Sequence, residues 1–411
     1  MSGQENYIER GTAAYRRANL ALFIAGFVTF STLYDFQPLL PVISGEFGVS
    51  PAAGSLALSV ATLALAVTLP ISGSLSDALG RRVLMGTALA LTSLLALATA
   101  VAPSMPTLLA LRLAQGMVLA GVPAVAMAYL SDEMSPRAVG AAMGLYIAGN
   151  ACGGMTGRIL TAVLADHLPW RGAIAVIGIL SLALSLMFWP LLPPSRRFHR
   201  RPFRLGPLTA SLLGHLREPR LLCLFALAFT CMGAFVTLYN YIGFRLLAPP
   251  YGLSQAAVSL IFILYLFGTG SSTWIGALAG RLGRRKVLWL MIVVMAAGLG
   301  LTCLDPLMPV VLGIAVLTFG FFGAHSIASA WVGRRAREGR AQASALYLFF
   351  YYLGSSVIGT AGGYAWTYAA WTGVMLVSGT AILLALALAL RLVFVAPLQV
   401  PERPAEPPPV L

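Results

Sequence analysis

From about residue 18 to residue 396 the chain is a succession of apolar runs separated by short polar turns, each close to the ~20 residues a helix needs to cross a bilayer. Twelve spans are expected, near 18–43, 52–76, 83–102, 106–130, 138–165, 171–192, 220–247, 254–280, 286–304, 307–331, 341–368 and 371–396. Charged residues make up 10% of the sequence against ~25% in a soluble domain. A soluble enzyme carrying an anchor is therefore excluded, and a polytopic, all-α membrane protein is left.

Net charge is +14, which raises nucleic acid as a partner, but the placement of the charge argues against it. Apart from Arg112, Arg158, Arg171 and Arg245, every Lys or Arg falls in the N-terminal segment, the alternate loops or the C-terminal end. That is positive-inside topology with both termini cytoplasmic, not a DNA-binding face. One Lys against 26 Arg, with abundant Ala, Gly and Pro, points to a GC-rich bacterial genome, so the bacterial inner membrane is the expected location. The four cysteines have no metal-ligand spacing and read as small apolar packing residues. The N-terminal segment does not read as a cleavable signal, because its apolar run is too long.

Two stretches divide the chain. Gly73-Ser-Leu-Ser-Asp77-Ala-Leu-Gly80-Arg81-Arg82 returns as Gly276-Ala-Leu-Ala-Gly280-Arg281-Leu-Gly283-Arg284-Arg285, and the offset of 276 − 73 = 203 is close to half the chain. Glycines let two membrane helices reverse tightly, and arginines hold the turn at an anionic surface. For either copy alone a positive-inside turn with incidental glycines is the simpler account. Two copies at matching places argue for an internal repeat, as in secondary transporters. The expected units are a cytoplasmic segment (1–17), a six-helix bundle (18–192), a basic Pro-containing linker (193–219), a second six-helix bundle (220–396) and a Pro-rich disordered tail (397–411).

The first of these turns resembles the loop signature of the major facilitator superfamily between its second and third helices. The copy at 276 is similar to the weaker one between the eighth and ninth, with Gly280 where the first copy has Asp77. Arg112-Leu-Ala-Gln115-Gly116 resembles the fourth-helix R-x-x-Q-G signature, whose Arg is linked to proton coupling in drug antiporters. Gly149-Asn150-Ala-Cys-Gly153-Gly154-Met-Thr-Gly157-Arg158 and Gln37-Pro38-Leu39-Leu40-Pro41 resemble a bacterial branch of arabinose-efflux and drug-efflux permeases. In related multidrug exporters an acid precedes the first proline of the latter run by four positions; here Tyr34 holds that place and Asp35 follows. The resemblance implies two pseudo-symmetric six-helix bundles and alternating access.

Asp35 is the one acid deep inside an expected span, where a carboxylate costs roughly 2.5–3.5 kcal/mol on insertion scales. Counting ~1.5 Å per residue places Asp35, Arg112 and Arg158 at a similar depth in the first half. Asp35 and Arg112 are the candidate proton-coupling pair, and a helix-packing role for Asp35 is the alternative. Arg158 is read either as part of this cluster or as a side chain snorkelling to the interface. Candidate substrate contacts are Tyr34, Asp35, Gln37, Gln115, Tyr146, Asn150 and Arg158 in the first half and Tyr239, Asn240, Tyr265, Tyr347 and Tyr351 in the second. Aromatics with polar tips suit an amphipathic ligand, although many serve as core or interface belt. Gly73, Asp77, Gly80, Arg81, Arg82, Gly276, Arg281, Gly283 and Arg284 form the candidate conformational latch.

No G-x-x-x-x-G-K-[ST] occurs, so transport must run on gradients, and no cofactor, metal or enzymatic activity is expected. The reading is proton-coupled export of a drug-like or small organic metabolite by a monomer. A symporter or facilitator taking up an organic solute, anions included, is the alternative within transport. A transport-dead sensor or lipid-handling protein is the alternative outside it.

Overall fold

The structure is a computed structural model that describes residues 7–198, 205–336 and 339–394. The expected tail at 397–411, the start of the N-terminal segment and the middle of the linker lie outside the described residues. The first half contains α1 (Ala13–Tyr34), a 3-10 turn (Gln37–Leu39), α2 (Leu40–Glu46), α3 (Pro51–Leu79), α4 (Arg81–Ala100), α5 (Met105–Leu119), α6 (Pro123–Glu133), α7 (Val139–Ala165) and α8 (Trp170–Leu191). The second contains α9 (Leu205–Leu216), α10 (Pro219–Leu247), α11 (Gln255–Ser259), a 3-10 turn (Leu260–Leu264), α12 (Tyr265–Leu282), α13 (Arg284–Leu301), α14 (Leu307–Arg335) and α15 (Arg340–Val393). Among the described residues, nine helical units are long and apolar enough to cross a membrane. The last of these is two helices in one, because Ala369 and Ala370 leave helical backbone geometry.

The breaks have local causes. The expected first span, 18–43, ends as a regular helix at Tyr34, because Pro38 and Pro41 bring no N–H to carry the ladder on. The expected fourth span, 106–130, is split at 120–122, before Pro123 opens α6. Starts follow the usual capping chemistry: Ser50, Ser104 and Ser254 accept from backbone N–H groups of α3, α5 and α11, and Glu218 does the same for α10. The linker, expected as a connector, contains the helix α9, which lies against α10 and α15.

The internal repeat is physical. Gly80 and Gly283, 203 residues apart, close α3 and α12 with φ of 100° and 92°, a conformation that favours glycine. The arginines that follow are also paired across the repeat. Arg82 Nη2 donates to Trp189 O at the end of α8 (2.5 Å), and Arg285 Nη1 donates to Val393 O at the end of α15 (3.2 Å). Each half thus ties its third helix to its last at the face that carries the start of α1, called here the near face.

Within the first half, α1 and α7 approach until backbones touch. A Cβ on Gly149, Gly153 or Gly157 would fall 2.5 Å from Phe23 O, 2.2 Å from Phe27 O and 2.6 Å from Ser31 Cα. Both helices present one residue in four, the spacing of a single helical face, so the small-residue ridge is a true helix contact.

The bonds that join the halves gather at the opposite, far face and the middle of the spans. Thr62 Oγ1 and Ser356 Oγ lie 2.8 Å apart, Ser356 Oγ also donates to Ser59 O (2.9 Å), and Thr360 Oγ1 donates to Ser59 Oγ (3.0 Å). Close packing needs a glycine here too: a Cβ on Gly363 would lie 2.4 Å from Ala52 Cα. The carboxylate of Asp166, in the first half, accepts from Gln255 N (3.1 Å) and Ala256 N (2.9 Å), capping α11 of the second.

Gly153→Ala is expected to destabilise the purified protein by ~1–3 kcal/mol through overpacking against the α1 backbone. Gly144→Ala, with nothing within 4 Å of the new Cβ, should leave thermal unfolding unchanged or slightly raised. Equal melting temperatures for Gly153→Ala and wild type would show that α1 and α7 separate without cost.

Candidate functional site: a cavity between the two halves

Where α1 stops, its last carbonyls lack helical donors, and Arg112 from α5 supplies them. Its Nη1 donates to Thr32 O (3.0 Å) and its Nη2 to Leu33 O (2.7 Å), while Nε reaches Ala57 O on α3 (2.8 Å). Gln115 Oε1 accepts from Nη1 at 2.6 Å, and Asp35 Oδ1 lies 3.4 Å from the same atom. The Phe36 ring lies 4.7 Å from the guanidinium carbon. Asp35 and Arg112 are both 0% exposed. The ion pair is therefore a sealed clasp between α1, α3 and α5, with Asp35 Oδ2 holding no hydrogen-bond partner among the described residues.

The residue before Asp35 does the opposite. Tyr34 faces a cavity of about 250 Å³ between the halves, walled by α1 and α7 on one side and by α10, α12, α14 and α15 on the other. Consecutive helical residues point ~100° apart, which is how neighbours serve a clasp and a cavity. Arg158 lies in the cavity wall, 2% exposed. Its carbon Cζ is 3.9 Å from the Tyr34 ring centroid and 5.0 and 5.2 Å from those of Tyr265 and Phe262. Nη1 donates to Gly154 O and Nε to Gln37 Oε1, both at 2.6 Å. Gln37 Nε2 then donates to Asn240 Oδ1 (2.8 Å), so the chain Arg158–Gln37–Asn240 crosses from the first half to the second. Phe235, Phe322, Tyr351, Tyr352 and His325 complete the apolar and aromatic wall.

The candidate residues thus fall into separate groups. Asp35, Arg112 and Gln115 meet in the clasp, away from the cavity. Tyr34, Asn150, Arg158, Tyr265 and Tyr351 line the cavity, while Gln37 and Asn240 bridge the halves beside it. Arg158 belongs neither to the Asp35 cluster nor to an interface: it is buried among rings, and no carboxylate pairs with it among the described residues. Tyr146 packs in the core of the first half. Tyr239 and Tyr347 stand behind the wall, bonded to Thr318 (2.8 Å) and to His325 Nδ1 (3.0 Å).

Of the turn residues, Arg81 sits between two acids, Asp132 Oδ2 at 2.6 Å and Asp77 Oδ1 at 3.7 Å. The nearer, Asp132 in the last turn of α6, is absent from the sequence candidates, although an acid pair at the near-face end of a span is a visible signal. A second such signal is the return of Thr32-Leu33-Tyr34-Asp35 as Thr237-Leu238-Tyr239-Asn240. The two threonines even make the same bond, to Val28 O and Gly233 O, four residues back.

Two packed sets of apolar helices, joined at one face around a central aromatic cavity, define a membrane transporter. The chain belongs to the Major Facilitator Superfamily, whose family model matches residues 22–247 and 233–410. It is 49% identical over 369 residues to the MFS-type transporter YybF of Bacillus subtilis, covering 90% of this chain and 91% of that one. The inner membrane transport protein YnfM of Escherichia coli is 45% identical over 374 residues, 91% of this chain and 90% of that protein. Among solved structures, a point mutant of the nucleoside transporter NupG is similar in fold, with a TM-score of 0.75 at 16% identity, covering 90% of this chain and 98% of that one.

Arg112→Ala removes a donor from three backbone carbonyls, those of Thr32, Leu33 and Ala57, and leaves Asp35 buried without its partner. A loss of ~3–5 kcal/mol is expected, read as a fall in folded yield and melting temperature in detergent. Arg158→Ala orphans no carboxylate and should cost clearly less; equal losses would mean that the clasp is not what holds the broken helix.

Proposed function

We propose that the protein is a proton-coupled secondary transporter of a small amphipathic organic solute, working by alternating access. Its twelve spans form two six-helix bundles, it acts as a monomer, and both termini are cytoplasmic. The near face is the cytoplasmic one, where the arginine-rich turns meet the positive-inside rule. The name of YnfM supports the bacterial inner membrane as the location.

The observation that carries this reading is the cavity between the halves, closed at the far face by the α3–α15 seal and flanked by a buried carboxylate one residue from its wall. An arginine partner lowers a buried carboxylate's affinity for a proton, so a change in that pair changes how readily the proton binds. Movement of α5 against α1 provides such a change, and the proton and the solute then bias the same two states. In this scheme the captured form is inward-facing. Asp77, Arg81 and Asp132, with Gly73, Gly80 and Arg82, close the near face in the alternate form. Gly276, Arg281, Gly283 and Arg284 serve as the second turn of that latch.

Export is the direction implied by the resemblance of 112–116 and 149–158 to efflux permeases. Uptake of an organic anion is the second reading, favoured by the unpaired Arg158 in the cavity wall.

The test is proton flux in liposomes under an imposed pH gradient. Wild type should move protons in response to transported compounds, and Asp35→Asn should abolish the coupled flux while leaving binding in place. Solute flux that ignores the gradient, and is unchanged in Asp35→Asn, would reduce the carboxylate to a structural role and the protein to a facilitator.

A further inference from the structure

We infer that the cavity binds a small aromatic carboxylate, with its anion on Arg158 and its ring among Tyr34, Tyr265 and Phe235. The inference rests on the cavity being the solute site, as proposed above, and adds the chemical class of the solute.

The first ground is charge. Arg81, Arg112, Arg171, Arg245 and Arg335 each have an Asp or Glu partner within 4.0 Å. Arg158 is 2% exposed yet has none among the described residues. A buried guanidinium without an anion is costly, and the aromatic faces around it offset only part of that cost. Two of its nitrogens are committed, Nε to Gln37 and Nη1 to Gly154 O, while Nη2 has no hydrogen-bond partner among the described residues. An incoming carboxylate therefore finds both a missing countercharge and a free donor.

The second ground is the wall. Its polar groups are hydroxyls, one amide, His325 and Arg158, with no Asp or Glu. A cationic solute would meet the guanidinium with nothing to balance it, so the cavity discriminates against cations. The third ground is size and surface. A volume of about 250 Å³ holds roughly eight waters' worth of solute at ~30 Å³ each, enough for one ring with short substituents. Phe235, Tyr265 and Tyr351 line the cavity with aromatic surface for such a group.

The experiment is equilibrium binding to the purified full-length protein, by calorimetry, with benzoate, benzamide and benzylamine as probes of one shape and three charges. Benzoate is expected to bind about 10- to 100-fold more tightly than benzamide, the range of a charge-assisted hydrogen bond, and benzylamine not at all. Arg158→Gln should erase the preference for benzoate, and Arg158→Lys should retain part of it. Benzamide or benzylamine binding as well as benzoate, no binding of benzoate, or an unchanged benzoate affinity in Arg158→Gln would each overturn the assignment. If Arg158→Gln does not fold, the wild-type series alone decides. Because no gradient is present, failure of proton coupling in liposomes leaves a benzoate-selective site standing, and coupled flux of uncharged compounds alone would sink the site while sparing the coupling.

Discussion

The first helix is broken inside the membrane-spanning region, and the repair of that break organises the first half. A chain in hydrocarbon tolerates a break only where other groups satisfy the freed backbone. Pro38 and Pro41 force the interruption, and Arg112 reaches from α5 to take the carbonyls of Thr32 and Leu33. Bringing a guanidinium to that depth requires a compensating charge, which Asp35 provides at 3.4 Å. With the carboxylate turned into the clasp, Tyr34 is turned outward, its ring stacking on Arg158 in the cavity wall. One local conflict, a proline pair in an apolar helix, thus fixes the partner of the buried acid and the orientation of the cavity.

The two halves are copies in architecture and unequal in chemistry. Asp35 and its repeat counterpart Asn240 differ by one oxygen for one nitrogen, yet the first is held by Arg112 and the second accepts from Gln37 across the molecule. The buried arginines Arg112 and Arg158 both belong to the first half. From the second come most of the rings, among them Phe235 stacked on Phe321 at 4.0 Å. One repeat carries the charge and the other most of the aromatic surface, the division that the proposed solute, with an ionic end and a flat end, would match.

The long periodic features are legible in the sequence. Apolar runs fix the helices because membrane length leaves little choice, and the turn at 73–82 repeated at 276–285 announces the duplication. Asp35 with Arg112 is also readable, since an acid at that depth needs a cation. The division of labour between Tyr34 and Asp35 is not: it depends on the rotational phase of a helix that ends at residue 34, and a shift of one residue exchanges the two roles. Sequence places Arg158 at the right depth but in the wrong company, because depth along a helix says nothing about which face it uses. Asp132 and Asp166 escape notice because each finds its partner through tertiary approach, on Arg81 and on the start of α11. Asp132 adjoins Glu133 at the end of its span, a signal the sequence does carry, whereas Asp166 sits in no pattern of its own.

The seal at the far face is built of small hydroxyls, Ser59, Thr62, Ser356 and Thr360, with a glycine pressed on an alanine. Its composition sets the energetics of opening. Each hydroxyl bond contributes only ~0.5–1.5 kcal/mol net, because water replaces it when the helices part. Beside these hydroxyls the same two helices share a buried apolar cluster, Leu58, Ala61 and Leu65 of α3 with Tyr352 of α15, so the resistance of this seal to water rests on apolar burial more than on its hydroxyl bonds.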